Sequence, residues 1–98
     1  MVLVTIRGRL RDEPEAIKQV HDGVTAATKD MALQAGDISH RVYLSAQDER
    51  QFLGIDEWGS AEAVQAFSAN PQIQEFFGQM FEGAPEVTIW EGPGWNEW

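Results

Sequence analysis

Apolar and polar residues alternate from Met1 to Leu10, with Val2, Val4 and Ile6 on one side and Leu3, Thr5 and Arg7 on the other. A period of two in β-branched residues predicts a strand. Past Pro14 the period lengthens: Ile17, Val20, Val24, Ala27 and Met31 recur at spacings of three and four, one apolar stripe of a helix. Asp12 is the expected N-cap, Pro14 suits the first turn, Glu13 and Glu15 favour the positive end of the helix dipole, and Gly36 is placed to stop the helix. Alternation returns over Ile38–Ser45 and again over Phe52–Trp58, joined by the polar Ala46-Gln47-Asp48-Glu49. That is a hairpin of two strands. Ser60 opens a second helix carrying Ala63, Val64, Ala66 and Phe67. Asn70-Pro71 breaks it, and a continuation carries Ile73, Phe76, Phe77, Met80 and Phe81. After Gly83-Ala84-Pro85 a last strand spans Glu86–Glu91, Gly92-Pro93-Gly94 ends it, and residues 92–98 form an aromatic tail with Trp95 and Trp98.

The order β-α-β-β-α-β, with its second helix broken, predicts one α+β domain over residues 1–98. Its arrangement is ferredoxin-like, a four-stranded antiparallel sheet with both helices on one face. The uncovered face would carry Leu3, Leu53, Ile55 and either the Val87 or the Trp90 side of the last strand. A face that apolar calls for cover, and a second copy packed sheet to sheet, a homodimer, is the simplest cover.

Charge narrows the function. Sixteen acidic residues against seven basic ones give a net charge of −9. No basic patch is available to displace counterions, so nucleic acid and anionic membrane surfaces are not expected partners. The chain has no cysteine, which removes disulfides, thiolate nucleophiles and cysteine metal sites. No basic-then-apolar start and no bilayer-length apolar run is present, and the expected location is cytoplasmic. No P-loop, dinucleotide fingerprint or Ser-His-Asp order is visible, and no cofactor is expected.

Two histidines remain, His21 on the first helix and His40 on the second strand. A metal site would need both and a carboxylate, with His21 pointing inward; no metal is expected. If Leu44 pairs with Phe52, paired numbers in the hairpin sum to 96. His40 then stands opposite Asp56, on one face with Phe52, Gly54 and Trp58. A His–Asp pair beside a tryptophan in an apolar cleft can orient a phenolic substrate and take its proton. The same pair can equally be a buried histidine satisfied by a carboxylate, and a one-residue slip would part the two. Phe67, Phe76, Phe77, Phe81, Met80 and Trp90 can line a pocket for a small hydrophobic or aromatic molecule, or serve as core. Trp95 and Trp98 need a surface, either on a partner copy or across the pocket mouth of their own chain.

The run Asp56-Glu57-Trp58-Gly59-Ser60-Ala61-Glu62-Ala63, followed by Ser68-Ala69-Asn70-Pro71, resembles the signature of the antibiotic biosynthesis monooxygenase family of dimeric α+β barrels. With Gly36 and the element order, the resemblance covers residues 1 to 91. It implies that Trp58 lines the cleft between sheet and helices and that Val42, or Tyr43 if the hairpin differs by one residue, stands where a relative carries a cleft tyrosine. It also shows departures. Gly54 replaces a polar asparagine, Phe67 and Gln72 occupy the places of a helix-borne histidine pair, and Arg7, Phe67 and Phe77 stand where the haem-degrading branch needs its asparagine, tryptophan and axial histidine. Phenylalanine cannot ligate iron, so haem chemistry is not expected. What the resemblance implies is a cofactor-independent monooxygenase of a small aromatic or quinol-type compound. His40, Asp56 and Trp58 would do the chemistry, with Val42, Phe52, Phe67, Phe76, Phe77, Met80 and Trp90 around the ligand. The alternative is a dimeric small-ligand-binding or stress-related protein with the same barrel and no turnover.

Overall fold

Each predicted element forms. The computed structural model describes all of residues 1–98. Strand β1 (Val2–Arg9) is followed by helix α1 (Pro14–Ala35), strands β2 (Asp37–Leu44) and β3 (Gln51–Trp58), helices α2 (Ala61–Ser68) and α3 (Pro71–Met80), and strand β4 (Glu86–Trp90). The sheet order is β2-β3-β1-β4, every pair antiparallel, with β1 central between β3 and β4. This is the ferredoxin-like arrangement, and the three helices cover one face.

Local chemistry sets the boundaries. Ser60 Oγ accepts from the Ala63 N–H at the start of α2, and Asn70 Oδ1 accepts from the Gln72 N–H at the start of α3, where Pro71 takes the first helical position. Gly36 ends α1 at φ 121°, a left-handed value that costs a residue with a Cβ, and its carbonyl accepts from Gly59 N–H at 2.9 Å. That bond ties the end of α1 to the end of β3.

Two details of α1 differ from the sequence reading. The residue before the helix is Glu13, with no capping side chain. Asp12 Oδ1 instead accepts from the Glu13 N–H at 2.7 Å. Pro14 has no N–H to cap, so one of the orphan donors that makes an N-cap valuable is missing. The buried stripe runs through Ile17 and Thr28, while Ala27 is exposed. A three-four-three-four pattern drifts off the face of a straight 3.6-residue helix over 22 residues. Thr28 satisfies its hydroxyl by donating to the Val24 carbonyl at 2.8 Å.

The core is in two parts. Leu10, Ile17, Phe52, Met80 and Phe81 pack at one end, and Val2, Val4, Trp58 and Val64 at the other, with Ile6 against both. On β4, Val87 pairs with Ile6 and Ile89 with Val4, so these two face the helices. Leu3 pairs with Trp90, so Trp90 lies on the far face. Its indole N–H donates to Thr5 Oγ at 2.8 Å and its side chain is largely exposed. The expected pocket role of Trp90 is therefore corrected: strict alternation along a strand admits only one of Val87 and Trp90 to the helix side.

Candidate functional site

The β2–β3 register decides what meets under the helices. From Ser39 to Leu44 the paired numbers sum to 96, and His40 stands opposite Asp56. His40 Nδ1 and Asp56 Oδ1 are 2.7 Å apart. The Asp56 side chain is nearly buried, at 11% exposure, and that of His40 keeps 36%. At Ile38 the register shifts by one residue, a β-bulge, so that Asp37 pairs with Trp58. Without the bulge Asp37 and His40 would point to opposite faces. With it, Asp37 joins Asp56 on the helix side. Trp58, 4% exposed, packs its ring 5.1 Å from that of Phe67 and closes this end.

From above, α1 contributes His21. Its Nε2 lies 2.9 Å from Nε2 of His40, and its Nδ1 lies 3.2 Å from Asp22 Oδ1. Five side chains thus form one polar row: Asp22, His21, His40, Asp56 and Asp37. No cluster of three or more histidine or acidic side chains is arranged to hold a metal ion.

The row borders a cavity of about 410 Å³ between sheet and helices, within the size range of small-molecule sites. Sixteen of its 26 lining residues are hydrophobic, and the polar row shares the remainder of the wall with Thr25, Thr28, Lys29, Ser39, Ser68 and Gly54. Phe52, Phe67, Phe76, Phe77, Met80, Phe81 and Trp58 line it, with Gly54 leaving open the space a side chain would fill. Val42 does not line it. It faces the helices but sits further along the outer strand, where with Leu10, Ile17, Leu44 and Phe52 it lines a second cavity of about 320 Å³. His21 and Phe52 line both cavities. The tail stays away: Trp95 and Trp98 are exposed and line neither, so they do not cover the pocket mouth of their own chain.

Electrostatics follow from the crowding of carboxyl groups. Burial, together with the hydrogen bond to Asp56 and its charge, pushes the Asp37 carboxyl up to about 8, with His40 opposing. Asp37 Oδ1 is buried with no hydrogen-bond partner. The hydrogen bond from Asp56 raises His40 above the ordinary imidazole value against the pull of burial, and the charges of Asp56 and Asp37 add to it. The pair therefore offers a carboxyl that holds a proton and an imidazole that readily takes one, side by side on an apolar wall.

Both shifts have the same sign for stability. A group whose pKa rises on folding stabilises fully below its unfolded value and loses that contribution as pH climbs to the folded value. For Asp37 the window runs from the ordinary 3.8 to about 8. Asp37→Asn is expected to flatten the loss of stability across this window and to stabilise the protein most at its alkaline end. The slope removed is at most about 1.4 kcal/mol per pH unit, and less for a half-exposed group that solvent screens. Urea unfolding of both proteins at several pH values between 4 and about 8 measures it.

The antibiotic biosynthesis monooxygenase family model matches residues 3–79. The chain belongs to that family. Solved structures of similar fold include SnoaB, a cofactor-independent oxygenase from Streptomyces nogalater. It is 18% identical with TM-score 0.72, and the match covers 93% of this chain and 91% of that one. Rv0793 from Mycobacterium tuberculosis is 19% identical with TM-score 0.69, covering 98% of each chain. A conserved protein from Methanosarcina mazei Go1 is 14% identical with TM-score 0.66, covering 91% and 89%. No curated protein sequence matches the chain. No helix is long and apolar enough to cross a membrane.

The sequence places His40, Asp56, Trp58, Phe52, Phe67, Phe76, Phe77 and Met80 at one cavity and misses three members of the polar row, His21, Asp22 and Asp37. His21 was weighed only as a metal ligand. Its signal was present: Ile17, Val20 and Val24 define the inward face of α1, and His21 follows Ile17 by one turn. Asp37 had no signal, because a bulge cannot be read from alternation.

Proposed function

We propose that this family member is a cofactor-independent monooxygenase of a small aromatic or quinol-type compound. The single observation that carries the reading is the placement of an acid–imidazole pair, His40 and Asp56 at 2.7 Å, on the wall of a mostly apolar cavity of about 410 Å³. SnoaB, of similar fold, is a cofactor-independent oxygenase, and it supports the reaction class.

The chemistry asks little of the protein. A flat aromatic substrate is held against Trp58, Phe67 and Phe77 by apolar burial. Asp56 takes the proton of an acidic ring hydroxyl or ring C–H and hands it to Nδ1 of His40, so that the pair acts as the base. The resulting anion is electron-rich enough to reduce dioxygen by itself. One oxygen atom becomes a carbonyl oxygen at the activated ring carbon, and the other leaves as water with the two hydrogens lost, one from that carbon and one from the ring hydroxyl. The substrate supplies all four electrons, so the balance closes without a further reductant. Exclusion of bulk water by the aromatic walls keeps the anion and its oxygen adduct from being quenched.

The reading includes a homodimer. The far sheet face carries Leu3, Tyr43 and Trp90 in exposed positions beside half-buried Leu53 and Ile55. A second copy packed on that face is the cover it calls for, and Trp95 and Trp98 are free to reach that copy.

A panel of phenols, hydroquinones and polycyclic hydroxy-aromatics, screened by quenching of tryptophan fluorescence and then by oxygen uptake, tests the function. The expected result is a ligand that quenches Trp58 and consumes one O₂ per product without added flavin, haem or metal. Binding with no oxygen uptake from any ligand would leave the non-catalytic binding protein as the answer.

A further inference from the structure

His21 and Asp22 are not used by the chemistry proposed above, yet they continue the hydrogen-bonded row outward. The two imidazoles meet in an unusual way. Their Nε2 atoms are 2.9 Å apart, their ring centres 5.1 Å apart and their planes 17° apart. The centre separation is close to the nitrogen separation plus two ring radii, so the rings meet edge to edge and nearly coplanar, not face to face. That is the geometry of a straight N–H···N hydrogen bond. Two nitrogens each about 2.0–2.1 Å from a tetrahedral zinc would stand farther apart. Each ring turns its other nitrogen to a carboxylate, His40 to Asp56 at 2.7 Å and His21 to Asp22 at 3.2 Å. The outer end is wet: the Asp22 side chain is 56% exposed and paired with Lys18 at 2.8 Å. His21 lines the substrate cavity and also the second cavity, whose wall includes Asp22, Lys18 and Glu15.

We propose that His21 and Asp22 are the outward half of a proton relay that links the Asp37–Asp56 carboxyl pair in the cavity to solvent at the second cavity. This rests on the monooxygenase reading for its purpose, though not for its geometry. A proton arriving at Asp56 passes to Nδ1 of His40. The proton on Nε2 of His40 moves to Nε2 of His21, and the proton on Nδ1 of His21 leaves through Asp22. Each ring gains one N–H and gives up another, so one proton enters, one leaves, and neither ring holds net charge at the end. The reverse pass returns a proton to the cavity. His21 is a positioning and relay residue here, since it acts through His40.

The charged groups facing the two rings are few. Asp56 from β3 and Asp37 from β2 face His40. Asp22, and through it Lys18, faces His21 on α1, with Glu15 in the outer cavity and Lys29 on the wall of the inner one. The elevation of His40 by its carboxylate neighbours is consistent with a proton resident in the row.

The first test uses the wild-type protein with ¹⁵N-labelled histidine, followed by NMR across the pH range. The expected result is that the two imidazoles titrate as one coupled pair, in two steps separated by about one unit or more. In His21→Gln, His40 should revert to a single step. Independent titration of the two rings in the wild type would overturn the relay. The second test uses a substrate found by oxygen uptake, in weakly buffered solution. His21→Gln should lower kcat by roughly 10²-fold with KM unchanged, Asp22→Asn should act in the same direction, and added imidazole should restore the rate. A purely structural role for His21 would show no such rescue. Wild-type kcat in His21→Gln at every buffer concentration would overturn the relay and leave the monooxygenase reading standing. Coupled titration in a protein that never consumes oxygen would do the reverse, supporting the relay while the monooxygenase reading falls.

Discussion

Leu53→Asp is expected to turn a dimer into chains that sediment at the 11.0 kDa monomer mass. Leu53 sits on the sheet face away from the helices, opposite Tyr43 on β2 and Arg7 on β1. With Ile55, Leu3 and Trp90 it forms an apolar surface that nothing in its own chain covers. Two such faces packed together would remove that area from water, and aromatic residues at its edge would seal it. A carboxylate at position 53 would have Arg7 within reach across β1, but the pair would be taken out of water and a two-fold axis would bring its own copy close. Desolvating the added charge at such a place still costs on the order of 3 kcal/mol or more, a hundredfold or more in the dissociation constant by the usual conversion of about 1.4 kcal/mol per decade. Sedimentation at micromolar concentration reads the outcome. Wild-type protein running as a monomer at that concentration would remove the dimer from the proposal, whatever the variant does.

The second large effect is on turnover. His40→Ala removes the imidazole that receives the substrate's proton through Asp56 and should lower kcat by roughly 10²–10⁴-fold. It also takes away the hydrogen-bond partner of Asp56, whose side chain is only 11% exposed. An unsatisfied buried acceptor costs about 1–3 kcal/mol, so some loss of stability will accompany the loss of rate. Asp56→Asn separates the two effects. It keeps the shape and an amide to meet His40, but withdraws the charge that raises the imidazole. The expected result is a melting temperature near wild type together with a clear fall in kcat. The acidic limb of the pH–rate profile, where His40 gains a proton and can no longer receive the substrate's, should also move toward lower pH. Full activity in both variants would place the base elsewhere, and loss of stability with activity retained would make the pair structural.

Much of this site follows from strand arithmetic. Once Leu44 pairs with Phe52 across the hairpin, His40 must oppose Asp56, and alternation must put Phe52, Gly54, Asp56 and Trp58 on one face. Ser60, Asn70, Pro71 and Gly36 mark their helix ends because each has a local job that few other residues do as well: a side-chain acceptor, a ring without an N–H, or a backbone at positive φ. These are short-range matters, legible residue by residue.

What the sequence could not decide lies where the chain must choose between equivalent local options. Both sides of β4 are apolar, and only the pairing of Leu3 with Trp90 sends that tryptophan away from the cavity and Val87 toward it. Val42 shares the helix side with His40, yet the line α1 takes across the outer strand gives it a different cavity. A bulge at Ile38 reverses the facing of everything before it and so brings Asp37 beside Asp56; one inserted residue leaves no mark in an alternating pattern. The meeting of His21 with His40 depends on how α1 lies over β2, a relation between two residues 19 positions apart. Periodicity shows which face of an element is buried. Only packing shows which buried faces meet, and here that meeting joins three carboxyls and two imidazoles into a single row.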